Sequence, residues 1–95
     1  MAIDSLIAAV PAGVGNTVVS AQKGVRIGKI IVIGPVGAGA VTVYDNATTN
    51  SGFILGVVPA SAPIGYWIPI EVEVINGITV AGSTNSPACN ITYST

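Results

Sequence analysis

The sequence predicts an all-β fold: a single small antiparallel β-sandwich, jelly-roll or immunoglobulin-like, of about seven strands with an N-terminal arm. Val, Ile and Thr dominate every periodic segment, while Leu occurs only at Leu6 and Leu55, and β-branched side chains of this kind suit a pleated, half-buried surface. The 12 glycines and 6 prolines interrupt the chain every few positions and leave runs of strand length. Inside those runs apolar side chains alternate with period 2. At 95 residues the chain makes one domain, because two cores would each be too small to stand alone.

Residues 17–21 open the series of strands. From 25 to 33, strict alternation puts Val25, Ile27, Ile31 and Ile33 on one face and Arg26, Gly28, Ile30 and Val32 on the other, as expected of a central strand. The break at 34–39 (GPVGAG) is a turn, and the simplest reading of Val41 and Val43 beyond it is the second arm of a hairpin. Residues 45–52 (DNATTNSG) form a polar loop whose side chains bond their own backbone. Phe53, Leu55 and Val57 restart a short strand. Residues 59–65 (PASAPIG) read as a surface connection crossing between sheets, since two prolines and a glycine forbid a central strand. Along 67–75, Ile68, Ile70, Val72 and Val74 face inward with Glu71 and Glu73 on the opposite side. Asn76-Gly77 is the strongest two-residue hairpin signal in the chain and makes 78–81 the return strand. After a polar turn at 82–87, Cys89, Ile91 and Tyr93 alternate to the end.

Residues 1–15 stand apart from the sandwich domain, 16–95. Their apolar side chains do not alternate cleanly, and 11–15 (PAGVG) is a joint. A short helix capped by Asp4, an edge strand and an arm packing on another chain all fit; the arm is the expectation taken forward.

Seven charged residues, 7% of the chain against about 25% in an ordinary soluble protein, restrict function. Three basic residues and a net charge of −1 give no electrostatic footprint for nucleic acid. The uncharged stretch 46–70 is long enough to cross a membrane, but its glycines and prolines would leave backbone groups unsatisfied in lipid. The N-terminus lacks the positive region of a signal peptide. Cys89 is single, so it forms no internal disulfide, and its setting is that of a small core residue. With no histidine, one cysteine and four carboxylates, the usual general base and metal clusters are missing, and neither an enzyme nor a cofactor is expected.

Each candidate for chemistry has a plainer structural explanation. Glu71 and Glu73, at i and i+2 on one strand face, place their carboxylates within roughly 7 Å of each other, a separation used by glycosidase pairs; a solvated edge that discourages aggregation is the preferred reading. Lys23, Arg26 and Lys29 offer ion pairing with Glu71 or Glu73, although strict alternation sends Arg26 opposite to the two lysines. The glycine pairs at 13/15 and 37/39 lack the lysine and helix of a phosphate cradle. Asp45 with Asn46 and Asn50 is assigned to turn chemistry rather than calcium, because one carboxylate binds that ion weakly. Sequons at Asn46 and Asn90 matter only in a secreted chain. Tyr66-Trp67, beside prolines, is core, interface anchor or sugar platform.

The order of features from residue 18 to the C-terminus resembles the small β-sandwich virion proteins of tailed bacteriophages. The matching residues are 28–33 (GKIIVI), 40–46 (AVTVYDN), Ser51-Gly52, Ile68-Pro69, 74–81 (VINGITVA) and 90–93 (NITY), with Thr42 to Asp45 and Asn76-Gly77 the most distinctive. The resemblance implies a structural protein made in the bacterial host cytoplasm and carried on the outer capsid surface of the virion. There it would decorate or cement the shell by binding the major capsid protein; a tail- or fibre-associated module that binds a receptor or glycan is the alternative. A small sandwich this apolar also exposes surface that copies of itself would cover, with a homotrimer the arrangement that fits an icosahedral shell. Partner contacts are expected at Ile3, Leu6, Ile7 and Val10 of the arm and at Tyr66 and Trp67.

Overall fold

Eight β-strands account for the regular structure of a computed structural model that describes residues 6–34 and 39–95. They are β1 (Leu6–Val10), β2 (Gly15–Ser20), β3 (Arg26–Val32), β4 (Val41–Asp45), β5 (Phe53–Val58), β6 (Trp67–Glu73), β7 (Ile78–Gly82) and β8 (Cys89–Ser94). Sheet A has the order β1-β8-β3-β6 and sheet B the order β2-β7-β4-β5. All neighbours are antiparallel. The chain changes sheet at every connection except β4 to β5, which pair directly. Two four-stranded sheets wound in this way make a jelly roll, so the fold is the first of the two sandwich types the sequence allowed.

That winding corrects both hairpins read from local signals. β3 lies in sheet A and β4 in sheet B, where β4 pairs with β5 and β7 rather than β3; most of the 34–39 break read as their turn lies outside the described residues. Asn76-Gly77 likewise joins β6 of sheet A to β7 of sheet B, where β7 pairs with β2 and β4. Only Gly77 of the two has positive φ, whereas a type I′ hairpin needs it at both central positions. The connection at 59–65 crosses between sheets as the two prolines and glycine require.

Within the arm expected for 1–15, Leu6–Val10 instead forms an edge strand of sheet A, β1. β1 pairs with β8 in unbroken register, from Leu6 opposite Tyr93 to Val10 opposite Cys89. Ala8 and Val10 turn toward the core and Val10 is 3% exposed; small alanines on both faces hid the alternation. The 11–14 joint is tied down where Gly13 N–H donates to the Ser86 carbonyl at 3.0 Å and Ser86 Oγ to the Gly13 carbonyl at 2.9 Å. Ile3 and Asp4 lie outside the described residues.

The core lies between the sheets, with Val25, Ile27, Ile30, Val32 and Ile91 from one side facing Val41, Val43, Val58, Ile78 and Val80 from the other. Ile30 and Val32 share a face with Ile27, against the strict alternation read from the sequence, because β3 bulges between Ile27 and Ile30 relative to β8. One extra residue, accommodated at buried Gly28 and exposed Lys29, inverts the phase of everything after it.

Asp45 at the end of β4 is 6% exposed and pins the β6–β7 crossover. Its carboxylate accepts backbone N–H groups from Ile75 at 3.1 Å, Asn76 at 2.8 Å and Gly77 at 3.4 Å. Gly77 has φ +151°, and a Cβ there would stand 2.6 Å from the Ser20 carbonyl oxygen, so no larger residue fits this close approach. Bonds to a charged acceptor are worth about 1.5–3 kcal/mol each, so Asp45→Ala is expected to cost about 3 kcal/mol in urea unfolding, with Asp45→Asn milder because its amide oxygen still accepts. A loss below about 1 kcal/mol would mean that the crossover holds without the carboxylate.

Candidate interaction surfaces

The bulge in β3 decides where the basic residues go. It turns Lys29 to the outer face of sheet A, the face on which Arg26 stands opposite Glu73, so the expectation that Arg26 and Lys29 point apart is corrected. Lys29 is opposite Pro69, and its Nζ lies 5.5 Å from the centroid of the Trp67 ring. At an exposed site such a cation–π contact contributes about 0.5–1 kcal/mol. Lys23 is exposed in the turn between β2 and β3. Across the face runs a row Ala9–Asn90–Ile31–Trp67, beside a second row Ile7–Thr92–Lys29–Pro69 in which the Lys29 N–H donates to Thr92 Oγ1 at 3.0 Å.

Glu71 and Glu73 are both exposed on β6, an edge strand of sheet A. Neither is desolvated, as a general acid at this separation would need to be. With Pro69 they make β6 a poor template for another strand. Glu71 has φ +53°, a left-handed conformation that costs a side-chain-bearing residue about 1–2 kcal/mol. Glu71→Gly is therefore expected to leave stability unchanged or raise it by up to about 1 kcal/mol, while Glu73→Gly lowers it by about 0.5–1 kcal/mol. Equal losses in both variants, measured by thermal and urea unfolding, would contradict the strain.

The polar loop is built by its own side chains. Asn46 Oδ1 accepts the N–H groups of Thr48 and Thr49 at 2.9 and 2.8 Å, and Asn46 Nδ2 donates to Ser51 Oγ at 3.3 Å. Asp45 is turned away to the crossover, so Asp45, Asn46 and Asn50 do not converge on an ion. Among the described residues no three His, Cys, Asp or Glu side chains could hold a metal. Cys89 is buried, and desolvation pushes its thiol up to about 11, so it is not a nucleophile at neutral pH.

Of the residues expected to touch partners, the structure separates two kinds. Val10 belongs to the protein's own core, which corrects its partner role, while half-buried Tyr66 packs against that core. Strand alternation turns Trp67 the other way, 54% exposed. Leu6 and Ile7 are exposed on β1.

The outer face of sheet B carries the feature that sequence reasoning missed. Register aligns Val18–Thr79–Tyr44–Ile54 in one row and Asn16–Ala81–Thr42–Val57 in the next. Neither row contains a charge, and Val18, Ile54 and Val57 are exposed. Every outward charge on a strand sits on sheet A; Asp45, on β4, is buried at the crossover. The signal was present in the uncharged stretches 7–22 and 46–70, but it becomes a face only once β2 and β5 are known to flank the same sheet.

No protein-family model and no curated protein matches the chain. Among solved structures it is similar to a chain of the Bacillus endospore appendages, which form a novel family of disulfide-linked pili. The likeness has a TM-score of 0.57 at 13% identity and covers 95% of this chain and 83% of that one. It establishes a shared fold, a β-sandwich used there in a structural protein. The disulfide linkage of those pili has no counterpart among the described residues, whose one cysteine is buried.

Proposed function

We propose that the chain is a non-enzymatic structural protein of a tailed-phage virion, which decorates or cements the outer capsid surface by seating the outer face of sheet B on the major capsid protein. The carrying observation is the division of charge: an uncharged four-stranded face with exposed Val18, Ile54 and Val57 backs a sheet whose own outer face holds Arg26, Lys29, Glu71 and Glu73. Extended apolar surfaces on small soluble domains mark contacts with other proteins. A fold likeness to a pilus protein supports a structural role over a catalytic one.

Trp67 favours a second reading. An exposed indole with the Lys29 ammonium over its ring suits a glycan or receptor, which would place the protein on a tail or fibre. Quantitative mass spectrometry of purified particles separates the two. Decoration predicts copies in a fixed proportion to the shell subunits, reduced at least about tenfold by Val57→Lys, which buries an unpaired charge, and unchanged by Trp67→Ala. A handful of copies, with receptor binding lost in Trp67→Ala, would favour the tail or fibre; absence from particles would remove both readings.

A further inference from the structure

Each sheet has two edges, and natural sheets blunt edges with charge, proline or bulges because unpaired N–H and C=O groups recruit other strands. β6 carries Pro69, Glu71 and Glu73. β2 is broken by a register shift between Val18 and Ser20. β5 is broken where Val43 and Tyr44 face Gly56 and Ile54, leaving Leu55 extra. β1 has none of these devices: Leu6–Val10 is uncharged, lacks proline and follows β8 through five consecutive pairs without a shift, with Ile7 68% exposed.

We infer that the free edge of β1 pairs with the same edge of a second copy of this chain, antiparallel about a two-fold axis at Ala8. The strand is self-complementary in that register. Ile7 falls opposite the partner copy's small Ala9 on the outer face, and Leu6 opposite Val10 on the core side, with Ala8 meeting Ala8 at the axis where little bulk separates the backbones. Sheet A then runs through eight strands, β6-β3-β8-β1 and its two-fold mate, and both of its remaining edges are the blunted β6. A two-fold pair is the simplest closed assembly a single self-complementary edge can make, and it takes the place of the homotrimer. The contact leaves the outer face of sheet B open for a shell.

The test uses the isolated 95-residue chain. Static light scattering after gel filtration is expected to give the mass of two copies. Ile7→Lys combined with Ala9→Lys sets like charges opposite each other twice and should yield one copy, whereas Ile7→Lys combined with Ala9→Glu sets opposite charges there and should restore the pair. Ala8→Cys should form an intermolecular disulfide on mild oxidation, because directly opposed antiparallel residues have Cα atoms about 4.5–5.5 Å apart, inside the disulfide range. Cys89 is buried and gives no background; Ala60→Cys, on an exposed loop, is the control. The inference is overturned by one copy at about 100 μM, by three copies, by a pair indifferent to the lysines, or by no cross-link at position 8. If β1 instead takes up a strand of a different protein, the isolated chain stays single and the two-fold pairing fails. A single-copy chain that still occupies particles would overturn this pairing alone and leave the decoration reading standing.

Discussion

The jelly roll depends on a chain that changes sheet at almost every turn, and the Asp45 carboxylate fastens one of those changes. Because only β4 and β5 are neighbours in both sequence and space, nearly every strand pair is non-local. Loop-closure entropy is then met before the contacts that offset it, which makes such folds slow and sensitive to the few polar ties at their crossovers. Asp45 gathers three N–H groups of the β6–β7 crossover, and the neighbouring Asn46 carbonyl accepts the Thr79 hydroxyl at 2.8 Å, so the end of β4 holds the start of β7 in place.

Using one of seven charges inside the fold leaves few for the surface, and their placement has consequences. Bulged β3 and blunted β6 bring the outward strand charges to sheet A. Sheet B is left with valine, isoleucine, tyrosine, threonine and alanine facing out, a composition suited to lying against protein. The blunted edge at β6 and the unblunted edge at β1 divide sheet A itself into a side that resists further strands and a side that accepts one.

Much of this was legible in the residues. The β-branched composition fixed the class, the alternation of 67–75 located β6, and two prolines marked the crossing at 59–65. The failures have physical causes. Asn76-Gly77 has hairpin chemistry, but the buried Asp45 draws its amides to the other sheet, and a long-range bond outweighs a local preference. β3 broke alternation because a bulge absorbs one residue, which no periodicity reveals. β1 was hidden by its alanines. At the candidate surface, Trp67 was recognisable as a large aromatic, but whether Tyr66 or Trp67 turned outward depended on the phase of a strand whose start is set by the preceding loop. The uncharged face of sheet B required the strand order, because its rows come from four strands separated in the chain.

In the proposed orientation sheet B faces protein while the outer face of sheet A remains in water. Hydroxyl-radical footprinting, comparing the free chain with the chain in purified particles, tests this residue by residue. Tyr44 and Ile54 should become protected in the particle while Trp67 stays as reactive as in the free protein. Protection of Trp67 with Tyr44 and Ile54 still reactive would contradict that orientation and turn the molecule over.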